Sequence, residues 1–174
     1  QAKEKNKAFE NIGGLLLQKG GKLIPSIGEI KEINAANADF LMPDRRHLER
    51  WKQTYKVGNS PFPSTYIFTS LGCPYKCTFC SIWCQFNGKY YQRDVESLIT
   101  ELKLVDDYPI VRFADANTIV GTSFINELFD RINEEGIRKD YIMDIRTDTA
   151  VKHPKLIEKL AKGGLKVVIC GFES

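Results

Sequence analysis

The apolar residues of this chain fall into short continuous runs, separated by longer stretches in which they recur every three or four positions. Runs at 65–70, 110–115, 141–146 and 165–170 have the length and β-branched content of buried strands. Between the first two, Val95, Leu98, Ile99, Leu102 and Val105 share one face of a helix expected over 94–107. Ile125, Leu128, Phe129 and Ile132 recur at i, i+3, i+4 and i+7, in a helix that Thr122 would cap and Gly136 would end. A third helix is bracketed by Pro154 at its first position and Gly163-Gly164 at its close. Strands alternating with helices of this length predict consecutive βα units, a parallel sheet and right-handed crossovers. The expected class is α/β, a parallel β/α barrel or part of one, with about four strands.

Residues 1–60 are less regular. The segments 12–17 and 22–24 suit a small hairpin around Gly20-Gly21. Ile27, Ile30 and Ile33 fit helix or strand equally well. Asp44, after Met42-Pro43, reads as the N-cap of a helix in which Leu48, Trp51 and Tyr55 share a face. The glycine- and proline-rich stretch 57–63 then breaks structure. The organisation expected is a linker or N-terminal segment over 1–60 and a core domain over 61–174. The chain starts without methionine and stops directly after a strand, as an excerpt of a longer protein would.

With 43% hydrophobic and 27% charged residues, the default is a soluble globular domain. No apolar run approaches the roughly 18 residues that span a bilayer, and the polar opening residues carry no signal peptide. A net charge of +3 gives no reason to expect nucleic acid as a partner. Five cysteines without a secretory signal fit a reducing, cytoplasmic compartment. No strand is followed by G-x-G-x-x-G or a P-loop, so a Rossmann or NTPase nucleotide site has no support.

The chemistry is concentrated at Cys73-Pro74-Tyr75-Lys76-Cys77-Thr78-Phe79-Cys80, on the loop after the first core strand. Three thiols so closely spaced cannot all pair as disulfides. Structural zinc wants four protein ligands, and so does a fully ligated iron–sulfur cluster. Three thiolates on a four-iron cubane would leave one iron open to substrate; a zinc site completed by Cys84 is the alternative. In βα barrels the working residues sit at the C-terminal ends of strands. That rule selects Asp115 and Asn117, Arg146 and Asp148, then Gly171 and Glu173, on the same rim as the thiols. A carboxylate there can hold an ammonium and an arginine can grip a carboxylate. Cys170 reads as core, His47 and His153 as surface residues, and Trp83, Phe86, Tyr90 and Tyr91 as packing beneath the loop.

The spacing C-x3-C-x-aromatic-C formed by Cys73, Cys77, Phe79 and Cys80 resembles the signature of the radical S-adenosylmethionine (radical SAM) superfamily. The wider stretch 69–80, and the Met42-Pro43-Asp44-Arg45-Arg46 segment, are most similar to the branch with an upstream cobalamin-binding domain. The resemblance implies a partial barrel of βα units and a [4Fe-4S] cluster on Cys73, Cys77 and Cys80. It also implies S-adenosylmethionine held by Phe79, Asp115, Asn117, Arg146, Asp148, Gly171 and Glu173. The matching segments are Asp115-Ala116-Asn117, Ile145-Arg146-Thr147-Asp148 and Cys170-Gly171-Phe172-Glu173-Ser174; Ala116 departs from the acid common in that branch. The activity implied is reductive cleavage of SAM to a radical that takes hydrogen from a small-molecule substrate, with a flavodoxin or ferredoxin as electron donor. In the cobalamin branch the outcome is methyl transfer or cyclisation. No cobalamin-binding D-x-H-x-x-G occurs in this chain, so that cofactor would belong to a domain outside it.

Overall fold

The computed structural model describes residues 8–28 and 42–172. The chain divides into two compact units, Gln1–Asp39 and Phe40–Ser174. In the first, a single 3-10 turn, Phe9–Asn11, precedes strands β1 (Leu16–Lys19) and β2 (Lys22–Pro25), which pair antiparallel. Gly20 and Gly21 both take positive φ, 55° and 77°, as a two-residue hairpin turn with the strands' own twist requires. The expected hairpin is present, with its first strand starting later than anticipated. Ile27 is exposed, and Ile30 and Ile33 lie outside the described residues.

The second unit opens with a 3-10 helix, Arg46–Thr54, where an α-helix capped by Asp44 was expected. Asp44 Oδ1 accepts from the Arg46 backbone N–H at 3.1 Å, a local turn that starts the segment, and its oxygens also take the Arg46 guanidinium. The first core run is split into β3 (Ser64–Ile67) and β4 (Ser70–Gly72). After α1 (Ile82–Gln85), β5 (Tyr90–Gln92) returns antiparallel to β4, so that β4 and β5 form a ribbon with the cysteine loop as its tip. Then follow α2 (Val95–Leu104), β6 (Ile110–Phe113), α3 (Thr122–Glu134), β7 (Asp140–Asp144), α4 (Thr147–Lys152), α5 (Pro154–Lys162) and β8 (Leu165–Ile169). Gly121, not Thr122, occupies the N-cap of α3, one residue earlier than the expected boundary. The short α4 has no apolar stripe to announce it.

Strands β3, β6, β7 and β8 pair in that order, all parallel, as an open four-stranded sheet with helices between successive strands. This is the partial α/β barrel expected; among the described residues no closed barrel forms. Ile67, Val111, Phe113, Tyr141 and Met143 point from one face of the sheet into a core with Leu98, Leu102, Ile125, Leu128, Phe129, Ile132 and Leu160. Tyr141 lies between Phe113 and Phe129, each with its ring centre 5.3 Å away. The opposite face, from the alternate residues, carries Tyr66, Arg112, Asp144, Val167 and Ile169, all partly or largely exposed.

A charged network fixes the outer side of β3. Glu101 interrupts the apolar stripe of α2 and is 1% exposed. It takes Arg93 Nη1 on one oxygen and Arg45 Nη2 on the other, each at 2.5 Å. The same two guanidiniums donate to the Phe68 and Tyr66 carbonyls, at 3.0 and 3.1 Å. Arg45, from the Pro-Asp-Arg stretch expected to be linker, therefore packs on the core domain, and the compact unit begins at Phe40, before the expected boundary at residue 60. Among the described residues no helix is long and apolar enough to cross a membrane.

Candidate functional site

The cysteine loop leaves the ribbon through Gly72, whose φ of +81° and whose approach to the Lys89 carbonyl leave no room for a side chain. Within the loop the Cys77 carbonyl is a local hub. It accepts from Cys80 N at 3.1 Å and from Trp83 Nε1 at 3.0 Å. Trp83 therefore serves beneath the loop, as its sequence position suggested.

The base of the loop is held by Asp115. Its Oδ1 accepts from Thr69 N and Ser70 N at 2.8 Å and from Ser70 Oγ at 3.1 Å, while Oδ2 accepts from Thr69 Oγ1 at 2.8 Å. These bonds stop β3 from running on into β4, which is why the single expected strand appears as two. The carboxylate is buried and its oxygens face the ribbon rather than the cavity beside the thiols. Burial pushes the Asp115 carboxyl above its ordinary range, against the pull of its four donors.

Asp115→Asn would present N–H to donors that need an acceptor, and should cost about 1–3 kcal/mol in urea unfolding. The sign of its pH dependence follows from the raised pKa. The wild type's advantage over this variant should shrink as pH rises from the ordinary carboxylate range through the raised value. A flat difference across that range would contradict the assignment.

All five cysteines are thiols without a disulfide partner. Cys73, Cys77 and Cys80, each half-buried, line one cavity of about 580 Å³, together with Tyr75, Phe79, Ala116, Asn117, Asp144, Arg146 and Gly171. Among the described residues no three Cys, His, Asp or Glu side chains converge on one ion position. Thiols spread around a cavity suit a cubane, in which each thiolate binds a different iron, better than a closed tetrahedron around one ion. Cys84 is exposed on α1 and does not line the cavity, so the alternative zinc set lacks its fourth member here.

Arg146 crosses the cavity wall. Its guanidinium stacks 4.2 Å from the Tyr75 ring centre, and Nη1 lies 4.0 Å from Cys77 Sγ. Nε donates to Asp148 Oδ1 at 2.9 Å and Nη2 to Oδ2 at 3.3 Å. That pairing holds the Asp148 carboxyl below its usual range and places it behind Arg146, outside the cavity lining. Asn117 is 4% exposed; its Nδ2 donates to the Ile119 carbonyl at 3.1 Å, and its Oδ1 has no partner. Phe79 stands 67% exposed at the cavity mouth. Gly171 lines the wall at the end of β8, and Glu173 lies outside the described residues.

Three cavity residues escaped the sequence reading. Cys170, expected in the core, lines the cavity beside Gly171. Tyr75 sits inside the thiol loop. Asp144 lies two residues before Arg146, and its carboxylate takes Arg112 Nη2 at 3.0 Å. The period of two along β7 could have revealed it, since residues 144 and 146 share one face.

Comparison with known proteins agrees with this geometry. A family model described as the radical SAM superfamily matches residues 67–174. The hopanoid C-3 methylase of Methylococcus capsulatus is 27% identical over 138 residues, covering 79% of this chain and 26% of that protein. An uncharacterized methyltransferase of Pyrococcus horikoshii is 28% identical over 181 residues, covering 99% of this chain and 37% of that protein. The chain thus spans between about a quarter and two fifths of the length of these relatives.

Proposed function

Because the chain belongs to the radical SAM superfamily, we propose that Cys73, Cys77 and Cys80 hold a [4Fe-4S] cluster with one iron open to S-adenosylmethionine. The observation that supports this most directly is the set of three thiols around one cavity, with Arg146 beside them. A cluster held by these three thiolates would, once reduced, supply an electron for cleaving the S–C5′ bond of SAM, the chemistry from which a hydrogen-abstracting radical arises. The chain's own residues bind and orient. Arg146, backed by Asp148 and stacked on Tyr75, offers a guanidinium to a ligand carboxylate. Phe79 offers an aromatic face at the mouth, suited to an adenine. Asn117 and Gly171 line the same cavity and would flank the bound cofactor. The electron would come from a low-potential donor such as a flavodoxin or ferredoxin.

Methyl transfer is the reaction outcome we favour, because both relatives above are named for it. If cobalamin takes part, it is held by a domain outside this chain.

Anaerobic reconstitution with iron and sulfide, followed by electron paramagnetic resonance of the reduced chain, tests the reading. The expected result is a four-iron signal that shifts when SAM is added. A colourless protein with stoichiometric zinc, or a cluster indifferent to SAM, would overturn it.

A further inference from the structure

Among the described residues, five buried side-chain polar atoms have no hydrogen-bond partner, and three of them are Arg112 Nε, Asn117 Oδ1 and Thr118 Oγ1. Buried polar groups are normally satisfied, and of these three residues Asn117 lines the thiol cavity, which leaves its Oδ1 as an acceptor for a ligand there. Asp144 is bonded to two of these residues. Its carboxylate takes Arg112 Nη2 at 3.3 and 3.0 Å, and its backbone carbonyl accepts from Thr118 N at 2.8 Å. Asp144 and Asn117 both line the thiol cavity. Alternation along the strands sets Asp144 one layer below Arg146 on the face away from the helices, and Arg112 one layer below that, in register with Ile142.

The layers differ in sign. The upper one presents a cation, Arg146, next to Cys77. The lower presents the Asp144 carboxylate, and Asn117, which lines the same cavity, adds an amide oxygen without a partner. Asp115, at first sight the natural partner for an ammonium, has both oxygens engaged by Thr69 and Ser70. Asp144 lines the cavity with its side chain 25% exposed, and Arg112 fixes its orientation while also facing the Tyr66 ring at 5.9 Å.

We infer that Asp144, with Asn117 Oδ1, forms an acceptor wall for the α-ammonium of the bound sulfonium cofactor, and that Arg112 is the positioning residue that aims Asp144. This inference rests on the radical SAM reading of the cavity. An amide oxygen accepts only from a proton-bearing group, which selects the ammonium over the proton-free sulfonium. The zwitterionic end of the ligand would then lie between opposite charges, its carboxylate toward Arg146 and its ammonium toward Asp144.

The test compares wild type, Asp144→Asn and Arg112→Met after reconstitution, once each is shown to carry the same iron content and unfolding midpoint. Three ligands are titrated: SAM, S-adenosylhomocysteine, and the S-adenosylhomocysteine analogue that lacks the amino group. Asp144→Asn should weaken the first two about 10- to 100-fold, the range for losing one charge-assisted hydrogen bond, and leave the deaminated analogue unaffected. Arg112→Met should weaken the same two by a smaller factor, with Arg112→Lys restoring part of the loss. Unchanged SAM affinity in Asp144→Asn, or an equal loss for the deaminated analogue, overturns the inference while leaving the cluster assignment intact. A loss confined to SAM would give Asp144 to the sulfonium instead, and would also overturn it. If the wild type takes up no cluster and binds no SAM, the earlier reading fails and this one with it.

Discussion

Cys77→Ala is expected to abolish the four-iron signal and the brown colour of the reconstituted chain, while leaving the fold intact. Cys77 is fixed both at its backbone and beside its sulfur. Its carbonyl is held by Cys80 N and Trp83 Nε1, and its sulfur lies beside the Arg146 guanidinium. Two remaining thiolates cannot hold a cubane in this loop, because solvent or thiol from the medium would have to complete a second iron. The side chain itself is small and only half-buried, so the stability change should stay within about 1 kcal/mol. Iron and sulfide analysis beside an unfolding curve separates the two effects. Wild-type cluster content in the variant would remove Cys77 from the ligand set.

The largest stability loss is expected from Glu101→Gln, about 3–5 kcal/mol in urea or thermal unfolding. The substitution keeps the shape and removes the charge between two guanidiniums whose side chains are 5% and 15% exposed. Leaving buried cations without their carboxylate is costly, whereas an exposed ion pair such as Arg131 with Glu134 is worth less than about 1 kcal/mol. A double-mutant cycle with Arg93→Met isolates the pairwise share. A loss below about 1 kcal/mol for Glu101→Gln would show that water reaches the network.

What the sequence made legible, and what it did not, divides along the range of the interactions concerned. The apolar stripes of α2 and α3 report burial at each position, so the face holding Leu98, Leu102, Leu128 and Ile132 could be read directly. The thiol loop was legible because ligand spacing is a local property. The break between β3 and β4 was not, since it depends on Asp115, 45 and 46 residues away, capturing Thr69 and Ser70. Asp115 was expected to face a ligand for the same reason: its position on the rim is local information, and its bonding partners are not. The segment Arg46–Thr54 misled differently. Leu48 and Trp51 are three apart, a spacing that suits an α-helix and a 3-10 helix alike. Glu101 on the buried stripe of α2 was a visible anomaly whose meaning required two arginines from elsewhere in the chain.

The two arginines on β3 also give the sheet a direction of growth. In a parallel strand, alternate carbonyls face outward, and those of Tyr66 and Phe68 are occupied by Arg45 and Arg93. A strand arriving on that side would have to displace two guanidiniums held by a buried carboxylate, so this margin behaves as a sealed seam. β8, at the other margin, carries no comparable clamp among the described residues. Any strand that extends the sheet, whether from the same polypeptide or from a second copy, therefore joins beside β8. It would arrive next to Cys170 and Gly171 and add its own residues to the cavity from that side alone.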